Sequence, residues 1–305
     1  MTRTGLLALA ALLATASFEP SHAEDWKSGF ADSPDGTQIA YYVLGNLKAA
    51  TPLLVVSGGP GSDHRYMRVG GSFARLAANR AVIMFDQRGT SKSGPVSGEP
   101  KLRQWTEDVE AVRQTLKAPS LHLLGHSFGG LVVMDYARRF PTHIASMALV
   151  DSTAATLAGT QQLLADVFPD RVDRWREVRQ NLTPRFKASD IEVFTRMEFV
   201  DPDARDRFLA AIAGYTYNIE VNNALRVDLA GQDFSDTLAS FHKPALVVHG
   251  RFDAIIAPAT SWELHQALPS SRLAMIERAG HLPFAERPAA FVEAVETFLD
   301  AAESP

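Results

Sequence analysis

The chain has 305 residues, 46% hydrophobic and 21% charged, enough apolar surface for one large α/β domain or a domain with an insertion, which excludes a disordered or fibrous protein. A formal net charge of -5 leaves no broad basic surface, so nucleic acid is not expected as a partner. With no cysteine, disulfides, thiol catalysis and thiolate metal sites are excluded, and stability must come from the core.

In chain order, the opening "MTRTGLLALAALLATASFEPSHAEDW" has a basic Arg3, an apolar run from Leu6 to Ala16, and small residues Ser21 and Ala23 before Glu24. That is the plan of a secretory signal over residues 1–23, so export to the periplasm or beyond is expected. The apolar run is shorter than the roughly 20 residues a stable span needs, and no membrane span is expected after cleavage. "GFADSPDGTQIAYYVLG" then reads as an antiparallel hairpin turning at Pro34-Asp35-Gly36. Short apolar runs follow at 52–59, 80–89, 121–130, 145–153, 244–253 and 272–281, with helical patterns at 105–117, 128–140, 259–267 and 288–302. This alternation predicts βαβ units around a mostly parallel sheet flanked by helices. The interval 155–240 breaks it, being helical and charged, with Trp175, Phe194, Phe199, Tyr215 and Tyr217. It is expected to be a helical cap on a core formed by 24–154 and 241–305, over the strand ends where ligands bind.

The chemistry concentrates at those ends. Gly125-His126-Ser127-Phe128-Gly129 follows the run "LHLL" and opens a helical pattern, which is the arrangement of a nucleophile elbow. Ser127 would project from the sheet, and the N–H of Phe128 would face a developing oxyanion. A serine hydroxyl needs a base, and the base needs an acid that fixes its tautomer. His281 ends the run "RLAMIERAGH" and Asp253 the run "PALVVHGRFD". Parallel strands bring such ends together, so Asp253 and His281 are expected to complete the triad in the order serine, acid, histidine. Asp151, at another strand end, is the rival acid; His249 and His126 are expected to pack within the core. "VVSGGPGS" ends a strand at three glycines, where an N–H can approach a substrate carbonyl without a Cβ in the way, and Gly59 is expected to be the second oxyanion donor. No Lys-Ser or Lys-Thr pair follows at phosphate-loop spacing. No histidines lie at metal-ligand spacing, so neither metal nor cofactor is expected. Asp86 and Arg88 in "DQRG" are expected to form an ion pair that braces their loop.

"GGPGS", "FDQRGTSKSG", "GHSFGG", "GRFD" and "AGHLPFAERP" together resemble the α/β-hydrolase family of prolyl aminopeptidases and their tripeptidyl-aminopeptidase relatives, from about residue 30 to 302. The pairing of GGPG with DQRG is the most specific part. The resemblance implies the α/β-hydrolase fold with a helical cap, the triad Ser127, Asp253 and His281, and the oxyanion donors Gly59 and Phe128. It also implies an aminopeptidase acting through an acyl-enzyme on small peptides. Such peptidases hold the substrate amine with cap carboxylates, and Glu220, beside Tyr215 and Tyr217, is the candidate here, with Glu198, Asp201 and Asp203 forming another acidic group. The chain departs from the family in having Ser57 where a histidine usually opens the glycine loop, and Phe128 where a tryptophan often follows the serine. The alternative expectation is a carboxylesterase or lactonase using the same machinery. A non-catalytic receptor would be marked by a broken triad, and the nucleophile of dehalogenases and epoxide hydrolases is an aspartate.

Overall fold

The structure is a computed structural model that describes residues 25–181, 188–212 and 214–304. The expected signal segment lies outside the described residues.

Eight strands form one sheet in the order β1-β2-β4-β3-β5-β6-β7-β8. They are β1 (Lys27–Asp32), β2 (Gln38–Leu44), β3 (Leu53–Val56), β4 (Val82–Phe85), β5 (Leu121–His126), β6 (Ile144–Val150), β7 (Ala245–Gly250) and β8 (Ser271–Ile276). The opening hairpin pairs β1 with β2, and β2 lies antiparallel on β4; all other pairings are parallel. Its turn closes as expected, with Gly36 N–H donating to the Ser33 carbonyl at 2.8 Å and Gly36 at φ 82°, a region open to glycine. Strands β3, β4, β5 and β7 are buried at every residue, which is why they read as unbroken apolar runs.

Alternate residues feed two cores. Leu54, Val56, Ile83, Phe85, Leu123 and Leu149 face one layer, while Leu53, Val55, Val82, Met84, Leu124 and Val150 face the other. Helix α1 (Ser72–Leu76) and the last helix cover the second face, α2 (Leu102–Thr115) and α3 (Gly129–Arg139) the first. Helix α2 begins three residues before its predicted start, because Gln104 Oε1 accepts from the Lys101 N–H at 2.9 Å and caps the turn. Between β6 and β7 lie α4 (Leu164–Val167), α5 (Val172–Asn181), α6 (Ala188–Glu198), α7 (Pro202–Ala211), α8 (Ile219–Leu229) and α9 (Ser235–Ala239). Helices α10 (Pro258–Ala267), α11 (Pro283–Glu286) and α12 (Pro288–Glu303) complete the chain. Among the described residues, no helix is long and apolar enough to cross a membrane.

The expected pair between Asp86 and Arg88 does not form. After β4 the chain turns, with Thr90 N–H donating to the Gln87 carbonyl at 3.0 Å, and the two side chains diverge. Arg88 is fully buried and bonds both oxygens of Asp108, at 2.6 and 2.8 Å, and Asp35 of the hairpin turn at 2.7 Å. Asp86 instead accepts from Tyr42 Oη at 2.9 Å and pairs with His64 Nδ1 at 2.7 Å. Burial pushes the Asp108 carboxyl up to about 6 even with Arg88 opposing it. Arg88→Met strands that carboxylate and is expected to lower unfolding stability by about 3–5 kcal/mol at pH 8, read from urea midpoints. The loss shrinks as pH falls, because the buried Asp108 then takes up a proton.

Candidate active site

The site occupies the carboxyl edge of the sheet. β3 delivers the glycine loop, β4 delivers Asp86 and Gln87, β5 delivers Ser127, β6 delivers Asp151, β7 delivers Asp253 and β8 delivers His281.

Ser127 sits at φ 55°, a left-handed conformation that a non-glycine residue adopts only when its surroundings hold it. The holding bonds are Ser127 N–H to the Val150 carbonyl at 2.9 Å and Gly130 N–H to the Ser127 carbonyl at 3.0 Å. Strand and helix cross so closely that a Cβ on Gly125 would strike the Gly129 carbonyl oxygen. Ser127 Oγ has no hydrogen-bond partner among the described residues.

His281 Nδ1 donates to Asp253 Oδ2 at 2.7 Å, and Asp253 Oδ1 accepts from the N–H groups of Ile255 and Ile256 at 2.8 and 3.1 Å. Burial opposes charge on both groups. Each nevertheless holds its partner's charge: His281 is raised to about 9, and Asp253 lies below the ordinary carboxylate range, aided by His249. Bonded through Nδ1, His281 leaves Nε2 as the nitrogen that takes up and releases the proton, and it lines one cavity together with Ser127. Asp151 does not bond His281: its Oδ1 accepts from Gly250 N–H at 2.8 Å, and burial raises its carboxyl to about 8. His249 donates from Nε2 to the Ile256 carbonyl at 2.9 Å, as expected of a core histidine, and its Nδ1 meets Ser261 Oγ.

His126 does more than fill space. Its Nε2 donates to the backbone carbonyl of His281 at 2.8 Å, so its Nδ1 accepts from Tyr66 Oη at 2.7 Å, and burial holds its pKa down to about 3. Tyr66 Oη in turn accepts from Gly58 N–H at 2.5 Å. One buried chain of bonds therefore joins the glycine loop, the elbow and the histidine loop. With Gly58 N–H taken by Tyr66 and Gly61 N–H by Gln87 Oε1 at 2.9 Å, Gly59 N–H has no partner among the described residues, and neither has Phe128 N–H.

Motif reading missed the residue that links GGPG to DQRG. The Gln87 amide donates to the carbonyls of Ser57 and Gly58 at 2.9 and 2.7 Å and to Ser57 Oγ at 2.9 Å, and it also accepts from Trp105 Nε1 at 3.1 Å. The co-occurrence of the two motifs was the available signal.

The cavity over Ser127 and His281, about 180 Å³, has walls that include Trp175, Phe208, Ile212, Tyr215 and Tyr217. Glu220 is not among its lining residues; it lies exposed in the first turn of α8. Among the helices between β6 and β7, the carboxylate that reaches the cavity is Glu198, at the end of α6. Burial pushes its carboxyl above the ordinary range, and the carboxylate has no hydrogen bond or ion pair among the described residues. Asp201 and Asp203 lie outside the cavity, Asp201 capping α7 and pairing with Arg287 at 2.9 Å.

A family model described as the alpha/beta hydrolase fold matches residues 51–288. The chain belongs to this family. Among curated relatives, this α/β hydrolase is 26% identical over 281 residues to a proline iminopeptidase of Lactobacillus crispatus, covering 87% of this chain and 95% of that one. It is 27% identical over 287 residues to a proline iminopeptidase of Clostridioides difficile, covering 87% and 96%. Among solved structures, the esterase RhEst1 from Rhodococcus superposes with a TM-score of 0.74 at 26% identity, over 90% of this chain and 99% of that one. The hydrolase class is common to all three.

In a titration followed by imidazole nitrogen NMR, His281 is expected to lose its proton near pH 9. Asp253→Asn removes the carboxylate that outweighs burial, so the midpoint should then fall below the ordinary ~6.5.

Proposed function

We propose that this protein is an exported serine hydrolase that releases an amino-terminal residue from small peptides, in the manner of a prolyl aminopeptidase. The observation that carries the reading is Glu198, a carboxylate without a partner among the described residues, recessed beside Ser127 and His281. Leaving a carboxylate desolvated is costly, and a substrate ammonium placed there relieves the cost. The cavity volume of about 180 Å³ lies below the roughly 300–1,000 Å³ of drug-sized pockets, which suits one residue, and its aromatic walls suit a pyrrolidine ring. The names of the curated relatives support the same substrate class. The leader-like residues 1–23 support export.

In the proposed cycle, Ser127 Oγ attacks the acyl carbon while His281 Nε2 takes its proton. Asp253 orients the imidazole and stabilises its charged form. The N–H groups of Gly59 and Phe128 receive the oxyanion. His281 then protonates the departing amine, the C–N bond breaks, and water repeats the steps on the acyl-enzyme. Neither metal nor cofactor enters the scheme.

A carboxylesterase is the second reading, favoured by the likeness to RhEst1. Rates on prolyl and alanyl arylamides and on p-nitrophenyl acyl esters separate the two. Ser127→Ala is expected to reduce turnover about 10⁴-fold or more on whichever class is cleaved. Glu198→Gln is expected to cost about tenfold in kcat/KM on free-amine substrates, the loss of one charge-assisted contact, and much less on esters without an amine. An equal loss on both would remove Glu198 from amine binding, and turnover of esters alone would leave an esterase.

A further inference from the structure

Ser127 lines two cavities. The second, of about 240 Å³, shares Gly59, Ser127 and Ile255 with the first, so both reach the proposed nucleophile. Their walls carry different ionisable groups. The first carries the carboxylate of Glu198 together with the imidazole of His281, whereas Arg226 is the single charged side chain among the described residues lining the second.

Arg226 is held in place from α8. Its Nε donates to Asn222 Oδ1 at 3.2 Å, one turn earlier, and Asn222 Nδ2 donates to the Pro60 carbonyl of the glycine loop at 3.1 Å. Asn222 is fully buried, so the guanidinium is fixed relative to the loop that carries Gly59. Among the described residues no carboxylate pairs with Arg226. The same cavity is lined by Thr153, only 8% exposed, whose buried Oγ1 has no hydrogen-bond partner among the described residues. A guanidinium with no carboxylate partner among the described residues, over apolar walls at Leu131 and Leu157, recognises a carboxylate attached to a small apolar group.

We infer that the second cavity is a leaving-group subsite for a carboxylate, and that the substrates are zwitterionic di- and tripeptides, amine toward Glu198 and terminal carboxylate toward Arg226. The inference rests on the proposed role of Ser127 as nucleophile. It goes beyond that role by selecting short substrates: a longer peptide carries its terminal charge past Arg226 and gains nothing there. Hydrolysis itself is unchanged: the acyl C–N bond is cleaved and the released amine, carrying the carboxylate, leaves through the second cavity.

The test uses two matched pairs of substrates with the full-length mature protein. One pair is prolylglycine and prolylglycinamide; the other is 4-carboxyphenyl acetate and 4-carbamoylphenyl acetate, each ester rate normalised to its rate with hydroxide. In the wild-type protein the acid is expected to exceed its uncharged partner in kcat/KM by about tenfold, the worth of one charge-assisted contact. Arg226→Leu should bring that ratio to about one, and Arg226→Lys, which keeps charge but loses the fork, should retain part of it. If only the esters are cleaved, the aminopeptidase reading fails and the ester pair alone decides the subsite. A wild-type ratio near one, a preference that survives Arg226→Leu, or no turnover of either pair overturns the inference.

Discussion

Residues 58–61, Gly-Gly-Pro-Gly, have almost no side chain with which to hold their own loop. Here the amide of Gln87 does the holding. It grips the carbonyls of Ser57 and Gly58 from one end, and its oxygen takes the Gly61 N–H and the Trp105 indole from the other. Gln87 and Trp105 are fully buried, so these bonds are made in a low dielectric and a lost partner would leave backbone groups unsatisfied. Trp105 also fixes which end of the amide is oxygen, since an indole N–H can only donate. With Gly58 and Gly61 committed, Gly59 is the glycine of the loop left with an N–H to spend on a ligand.

The same economy governs the charges under the site. Four titratable side chains, Asp151, His249, Asp253 and His281, end adjacent strands, every one of them buried. Asp253 keeps its charge because two backbone N–H groups and two histidines face it. Asp151 has one N–H donor and an Oδ2 without a partner among the described residues, so burial wins and its carboxyl is pushed up toward neutrality. Two aspartates at equivalent strand ends are thus given different character by the bonds each can make.

The parallel sheet was legible because its strands are buried on both faces, and the convergence of Ser127, Asp253 and His281 followed from parallel strands ending together. Predicted runs overshot their strands wherever the turn beyond was as buried as the strand, as at 80–89, where β4 spans only Val82–Phe85. Residues acting at long range were not legible in the same way. Glu198 and Glu220 read alike as acids near aromatic residues in a helical interval, and only the packing of α6 over the histidine loop distinguishes them. Arg88 was assigned a neighbour in sequence because its real partners, Asp35 and Asp108, lie on other elements. Gln87 and Arg226 carry no motif of their own, and their meaning lies wholly in what approaches them.

The helices between β6 and β7 are fastened to two loops of the site. On one side His281 N–H donates to the Glu198 carbonyl at 2.8 Å, and Glu286 accepts from Gly280, Val200 and Asp201 N–H groups. On the other, Asn218 N–H donates to the Gly61 carbonyl at 2.7 Å, while Asp63 takes both the N–H and the hydroxyl of Thr216. Displacing these helices at either seam would pull on the histidine or on the glycine loop. Helices and loops are therefore coupled through both seams, and a passage that crosses neither leaves both loops in place.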